Sequence, residues 1–283
     1  MDNPIGVFDS GIGGLTVVKQ LMHYLPNENI VYFGDTARVP YGTKSEKLIR
    51  QYALEDAAFL DQFGIKMLVV ACNSVSAVAI DLLKSTRKMP VLGVIDPGVE
   101  AAVQCTAKNK IGVIGTAATI NSNAYYKKIV GLNPHIQVLS QPCPLLVSLV
   151  EEGWITEQIT RLTIEKYLQP LLGDGVDTII LGCTHYPVLK EMIQQVVGEK
   201  ITLIDSGKET ARIVKDMLIN LKLTRLDVRP PAVQFYVSDI PFKFDEIGTR
   251  FLGRPLADTQ RVEFEKFLLK QGKKIYLPLQ ESN

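Results

Sequence analysis

The chain has 283 residues, 46% of them hydrophobic, which is enough apolar material for one large or two ordinary domains. Its 31 Lys and Arg against 30 Asp and Glu leave a formal net charge of +1. That balance gives no electrostatic hold on nucleic acid or anionic lipid, so neither is an expected partner and the expected substrate is a small molecule.

The opening MDNPIGVFDS runs straight into a predicted strand, without a basic region or an apolar signal core. No apolar run approaches the ~18 residues of a membrane helix, so the cytoplasm is the expected location. Along the chain, strand-like runs IGVFD, NIVYFGD, MLVVAC, VLGVID, KIGVIG, IQVLSQ, TIILGC and ITLID alternate with segments of helical period. That alternation predicts an α/β protein with mainly parallel sheets flanked by helices. After Asp35, Thr43 and Glu46 have the spacing of a capping box. Leu48, Ile49, Tyr52, Ala53, Leu60 and Phe63 then recur at helical spacing up to Gly64. A second helix is predicted from Pro187 to Gly198, with Val188, Leu189, Met192, Ile193 and Val196 on one face. A third follows from Lys208 to Leu221, ahead of a tail through Pro230, Pro231 and FLGRPL.

The landmarks repeat. IGVFDSG at residue 5 matches IGVIGTA at residue 111, Cys72 matches Cys183, and VIDPG from Val94 matches LIDSG from Leu203. Order and offsets agree, and so long a period means duplicated domains, not a solenoid. The expected division is 1–96 together with 208–283 as the first α/β domain and 97–207 as the second. The site is expected in the cleft between them.

Ligands of open parallel sheets bind beyond the carboxyl ends of the strands. Asp9, Asp35, Cys72, Asp96, Thr116, Cys183 and Asp205 all fall at predicted strand ends. A buried free cysteine often packs as a small hydrophobe, and Cys105 and Cys143, which have no counterpart in the repeat, keep that reading. Cys72 and Cys183 end matched apolar runs ahead of predicted helices, which favours a reactive thiol on each side of one cleft. A thiol acts as a base only as thiolate, which calls for a lowered pKa from a helix N-terminus, a cation or hydrogen-bond donors. Asn73 and Ser74 follow Cys72, and Thr184 and His185 follow Cys183. His23 and His135 read as surface residues.

Other readings remain beside this one. Asp9 either caps the helix after DSGIGG or faces the ligand, and the glycines there serve a tight turn as well as a phosphate cradle. Cys183 with His185 could act as nucleophile and base in acyl transfer, which leaves Cys72 unexplained. A metal held by Cys72, Cys183 and His185 has no spacing to select it, and four cysteines without a CxxC argue against structural zinc or a disulfide framework. A binding module without chemistry would need no thiols.

The segments FDSGIGGLTV, YFGDTARVPYGTKS, ACNSVSA, GVIDPG, IGVIGTAAT and LGCTHYP, in that order over residues 5 to 207, resemble the glutamate racemases. FYVSDIPFKF extends the likeness toward the C-terminus. The resemblance implies a two-domain, pseudo-symmetric fold and a cofactor-independent interconversion of L- and D-glutamate that supplies D-glutamate for peptidoglycan, with a homodimer by family analogy. It further implies Cys72 and Cys183 as the acid/base pair, supported by Asp9 and His185. Substrate binding would fall to Asp9, Ser10, Tyr41, Gly42, Asn73, Ser74, Thr184 and His185, and more loosely to Thr116, Thr119 and Glu152. Ser74-Val75 stands where the family usually has Thr-Ala; serine keeps the hydroxyl. The sister aspartate racemases share the two-thiol plan, and regulation through the N-terminal extension of some members is not expected here.

Overall fold

Continuous Val, Ile and Leu runs suit strands covered on both faces by helices. The computed structural model, which describes residues 2–227, 229–240, 244–256, 258–270 and 272, has this architecture. Its strands are β1 (Ile5–Asp9), β2 (Ile30–Gly34), β3 (Met67–Val70), β4 (Val91–Gly93) and β5 (Lys110–Gly115). They continue with β6 (Gln137–Pro142), β7 (Thr178–Gly182), β8 (Thr202–Asp205), β9 (Val233–Val237) and β10 (Gln260–Arg261). The described residues form two sheets, β10-β9-β2-β1-β3-β4 and β6-β5-β7-β8. Every pairing is parallel.

The sequence repeat is legible in this topology. The order 2-1-3-4 of the first four strands recurs as 6-5-7-8, so β1 corresponds to β5, β3 to β7 and β4 to β8. Each cysteine of the repeat therefore leaves the same strand of its own sheet. The first sheet gains β9 and β10 on its β2 edge, with Tyr32 in register with Phe235.

Ile5, Val7, Phe8, Ile30 and Phe33 have no exposed surface, and burial of side chains this size stabilises by about 1.5–3 kcal/mol each. One apolar cluster runs from Val7 and Leu15 through Ile114, Leu146 and Ile179 to Phe235 and Phe251, and so joins the two halves. A second lies on the other face of the first sheet, where Phe33, Phe59 and Phe264 meet with ring centroids 4.6 to 6.0 Å apart. Phe264 belongs to the helix Phe264–Lys270, so the C-terminal segment seals this layer.

The helix Ser206–Asn220 buries Ala211, Val214 and Leu218, a single face at helical spacing. It packs on the helices Leu15–Tyr24 and Ile95–Cys105. Asp205 caps it by accepting hydrogen bonds from the Gly207 and Lys208 amides.

Three local expectations change. The helix after Asp35 spans Glu46–Asp61 and is capped by Ser45, whose hydroxyl accepts from the Leu48 amide; Thr43 lies in a 3-10 turn, too early to cap it. The segment after Pro187 is first a 3-10 turn, Tyr186–Leu189, and becomes α-helical only at Lys190–Val197, before Gly198 at φ 78°. Asp96 is not at a strand end, because β4 stops at Gly93 and the helix Ile95–Cys105 takes over. Asp96 instead pairs with Lys128 at 2.5 Å and Lys84 at 3.8 Å. Within FYVSDIPFKF, Pro241, Phe242 and Lys243 lie outside the described residues. Among the described residues no helix is long and apolar enough to cross a membrane.

Candidate active site

The carboxyl ends of β1, β3, β5 and β7 bring Asp9, Cys72, Thr116 and Cys183 to one region. Asp9 closes β1 and is almost wholly buried. Its Oδ2 accepts from the amides of Gly11 (3.1 Å) and Gly14 (3.0 Å), so the glycine turn serves to hold a carboxylate. Its Oδ1 is buried without a hydrogen-bond partner, which leaves an acceptor for a substrate or a proton. Burial raises the Asp9 pKa, opposed by the positive charge of His185 and by the turn amides. The sequence left capping and ligand-facing roles open for Asp9; in the fold its Oδ2 is taken by the turn amides, while its Oδ1 has no partner.

Cys72 is the N-cap residue of the helix Asn73–Val78, and its thiol reaches Ser10 Oγ at 3.4 Å. The lowered pKa expected from the helix terminus does not result. Burial, and next the charge of Asp9, push the thiol up to about 12. Desolvation of a thiolate outweighs the donors around it, so Cys72 rests as a thiol.

Cys183 follows β7, and its sulfur lies 3.8 Å from Nδ1 of His185. The Nε2 of that ring lies 2.9 Å from Glu151 Oε1. Burial disfavours the charged imidazole, but the hydrogen bonds and charges of Cys183 and Glu151 outweigh it and raise the His185 pKa to about 10. At neutral pH His185 is therefore an imidazolium aimed at the Cys183 sulfur. Phe251 holds the ring edge-on with centroids 5.0 Å apart.

Contacts between the two halves surround these groups. Thr16 Oγ1 lies 2.9 Å from both the Gly13 and Thr184 carbonyls, tying the first loop to the Cys183 loop. Ser74 Oγ meets Thr116 Oγ1 at 3.0 Å and Thr119 Oγ1 at 3.3 Å, a hydroxyl cluster across the halves. Tyr125 donates to Asn73 Oδ1 at 2.7 Å and also reaches Ser206.

Ser10, Asn73, Ser74, Thr116, Thr119, Thr184 and His185 thus gather with the two thiols. The Tyr41 side chain does not, because its hydroxyl is turned into a buried cluster with Asp35 and Asp56. The Gly42 backbone is seated against Thr116, so closely that a Cβ on Gly42 would lie 2.9 Å from Thr116 Cβ. Glu151, rather than the neighbouring Glu152, touches His185; Glu152 is exposed and closes the helix Leu145–Glu151. One residue along a helix is a turn of about 100°, which sequence cannot resolve without knowing the facing element. Tyr125 and Phe251 carried no sequence signal, since both read as ordinary core aromatics.

The Asp/Glu/hydantoin racemase profile matches residues 5–214. The chain is 51% identical over 261 residues to the glutamate racemase of Syntrophus aciditrophicus, covering 92% of this chain and 97% of that one. It is 51% identical over 260 residues to that of Neisseria meningitidis serogroup A, with 92% and 96% covered. Its fold is similar to the crystal structure of the Francisella tularensis glutamate racemase in complex with D-glutamate, with a TM-score of 0.88, 43% identity, and 94% of this chain and all of that one covered. Two parallel sheets of matching order, a cysteine beyond the same strand of each, and likeness at this level over nearly the whole length place the chain in the Asp/Glu/hydantoin racemase family, among the glutamate racemases.

Proposed function

We propose that this protein interconverts L- and D-glutamate with its own side chains, by proton transfer between Cys72 and Cys183. The observation that carries this reading is that the two cysteines have different partners in one site. Cys72 sits with Ser10 and Asp9, Cys183 with His185 and Glu151, and Asp9 links the two sides: it feels the charge of His185, and its own charge acts on Cys72. Racemisation needs an acid on one face of Cα and a base on the other. A thiol held neutral at Cys72 and an imidazolium beside Cys183 give that asymmetry.

Cys183 as thiolate removes the Cα proton of L-glutamate, and the Cys72 thiol delivers its own proton to the opposite face. D-glutamate leaves with Cys183 as thiol and Cys72 as thiolate, and proton exchange through His185 and Asp9 restores the starting state. The reverse reaction uses the reverse roles. Asn73, Ser74, Thr184 and the Tyr41–Gly42 backbone bind the carboxylates, with Thr116 and Thr119 completing the wall. Donors already fixed by their neighbours stabilise the developing charge without reorganising. The bound D-glutamate of the Francisella relative supports glutamate as substrate. The wider reading is a cytoplasmic homodimer, each chain divided as 1–96 with 208–283 and 97–207, supplying D-glutamate for peptidoglycan.

Proton NMR in D2O tests the activity: with L-glutamate and no added cofactor, the Cα proton signal is expected to vanish as D-glutamate accumulates. Exchange of aspartate but not glutamate would overturn the substrate assignment.

The charge of His185 sets the pH behaviour. Its folded value of about 10 lies above the ordinary 6.5, so its contribution to stability is complete below about pH 6.5 and is lost as pH rises through about 10. Glu151 is 46% exposed, so its pairing is worth only about 1 kcal/mol. Glu151→Gln is therefore expected to move the alkaline limb of kcat/KM down by somewhat under about one pH unit. A pH–rate profile of the variant against the unaltered enzyme checks this shift.

A further inference from the structure

Below the cleft lies a buried ionic cluster that the racemisation chemistry does not use. Arg38 donates from Nε to Asp35 Oδ2 at 2.6 Å, from Nη1 to Glu55 Oε2 at 2.5 Å and from Nη2 to Asp56 Oδ1 at 2.9 Å. Its guanidinium stacks over Tyr52 at 3.9 Å, with Phe264 on the C-terminal side at 5.0 Å. Ser238, just past β9, donates to Asp35 Oδ1 at 2.9 Å, and Gln51 donates to Glu55 Oε1 at 2.9 Å. Three carboxyl groups thus surround one cation, and Asp35 and Asp56 are completely buried.

The hydrogen count is decisive. Tyr41 Oη lies within hydrogen-bond reach of two carboxyl oxygens, Oδ2 of Asp35 and Oδ2 of Asp56, the latter at 3.1 Å. A phenol has one proton to donate. The shorter contact, to Asp35, takes it, and Asp35 already accepts from Arg38 and Ser238 as an anion does. The contact with Asp56 then needs a hydrogen on Asp56 itself.

The geometry points to Arg38 as a positioning residue for the Tyr41–Gly42 backbone, with Asp56 held as the neutral acid that completes the chain Asp56 to Tyr41 to Asp35. This rests on the substrate-binding role proposed above for that backbone. Burial, and next the charge of Asp35, hold the Asp56 carboxyl well above the usual carboxylate range against the pull of Arg38. The groups facing it are Asp35 beyond β2, Arg38 and Tyr41 in the following turns, and Tyr52 and Glu55 on the helix Glu46–Asp61. The cluster reaches the cleft by two routes. The Asp35 amide donates to the Asp9 carbonyl at 3.1 Å, and Gly42 abuts Thr116, which bonds Ser74. A carboxylate at Asp56 would repel Asp35 and leave Tyr41 without its second partner, loosening the turn that meets substrate.

Asparagine reproduces the neutral acid, since its amide can donate to Tyr41 and its carbonyl can accept from Arg38. Asp56→Asn is therefore expected to keep KM for glutamate within about twofold. Asp56→Ala and Arg38→Lys are expected to raise KM about tenfold or more, with kcat changed by less than about threefold, because alanine removes the partner of Tyr41 and a compact lysine ammonium lacks the planar fork that spans the three carboxyls and stacks on Tyr52. Carboxyl 13C NMR of aspartate-labelled protein is expected to show, at pH 7, a protonated resonance that Asp56→Asn removes. Thermal unfolding of each variant separates a misplaced turn from a lost fold. An Asp56→Asn variant as impaired in KM as Asp56→Ala, or an Asp56 carboxyl ionised at pH 7, overturns the inference. If the unaltered protein does not turn over glutamate, the racemase reading fails instead, and the carboxyl spectrum still decides the state of Asp56.

Discussion

Alanine at Cys72 or Cys183 is expected to abolish interconversion of the glutamate enantiomers, with a loss beyond about a thousandfold in kcat, in the range of positioned acid and base groups. Both side chains are nearly buried, and removing one sulfur leaves a small cavity costing about 1 kcal/mol, so the fold survives. The more telling readout is exchange without inversion. With Cys72 gone, Cys183 still removes and returns a proton on one face, so L-glutamate exchanges its Cα hydrogen with D2O and D-glutamate does not. Cys183→Ala is expected to show the converse. The opposite pattern would exchange the two assignments, and substantial racemisation by either variant would sink the two-thiol scheme. The acyl-transfer alternative gives Cys72 no role, so exchange of D-glutamate that depends on Cys72 also speaks against it.

Gly13→Ala is expected to lower kcat/KM about a hundredfold, although position 13 carries no reactive group. A Cβ there would stand 2.3 Å from Thr184 Oγ1 and 2.7 Å from both Cε1 and Nδ1 of His185. Neither neighbour has room to yield. Thr16 holds the Thr184 carbonyl, and Phe251 and Glu151 fix the His185 ring. The new methyl must push the β1 loop away from the Cys183 loop, and a displacement of about 1 Å at a reacting centre costs about a hundredfold. Overpacking at such a contact also costs roughly 1–3 kcal/mol of stability. Gly131→Ala is the control, because a Cβ there meets nothing within 4 Å. On the helix Ala124–Leu132 it should add about 0.5–1 kcal/mol and leave turnover unchanged. Paired melting curves and steady-state assays check both; equal activity in the two variants would show that the loops are not in catalytic contact.

Much of this architecture was legible in the amino-acid order because its determinants are local. Apolar, β-branched runs such as VVAC and IILGC suit buried strands, and the repetition of IGV, Cys and ID motifs at matched offsets announced the recurrence seen in the strand order of the two sheets. The residues around the cleft were legible for the same reason, since strand ends are where a parallel sheet presents its loops. Boundaries were less so. Ser45 rather than Thr43 caps its helix, and Asp96 belongs to a helix where the run VLGVID reads as unbroken strand. Propensity cannot tell where a β-run is taken over by a helix that packs on the other half.

What tertiary structure alone decided concerns partners distant in sequence. The pairing of His185 with Glu151, the turning of Tyr41 from the cleft into the Arg38 cluster, and the weight of β9 and Phe264 against the first sheet all depend on which elements face one another. The state of Cys72 is the clearest case. Its sequence context, a thiol before a helix with hydroxyls nearby, argued for a lowered pKa, whereas the folded site raises it to about 12. Burial and the neighbouring charge of Asp9 are properties of the assembled cleft, and they outweigh the local donors that sequence displays. The chain order thus determined which groups line the site, while the low-dielectric surroundings created by folding decided which of them hold protons.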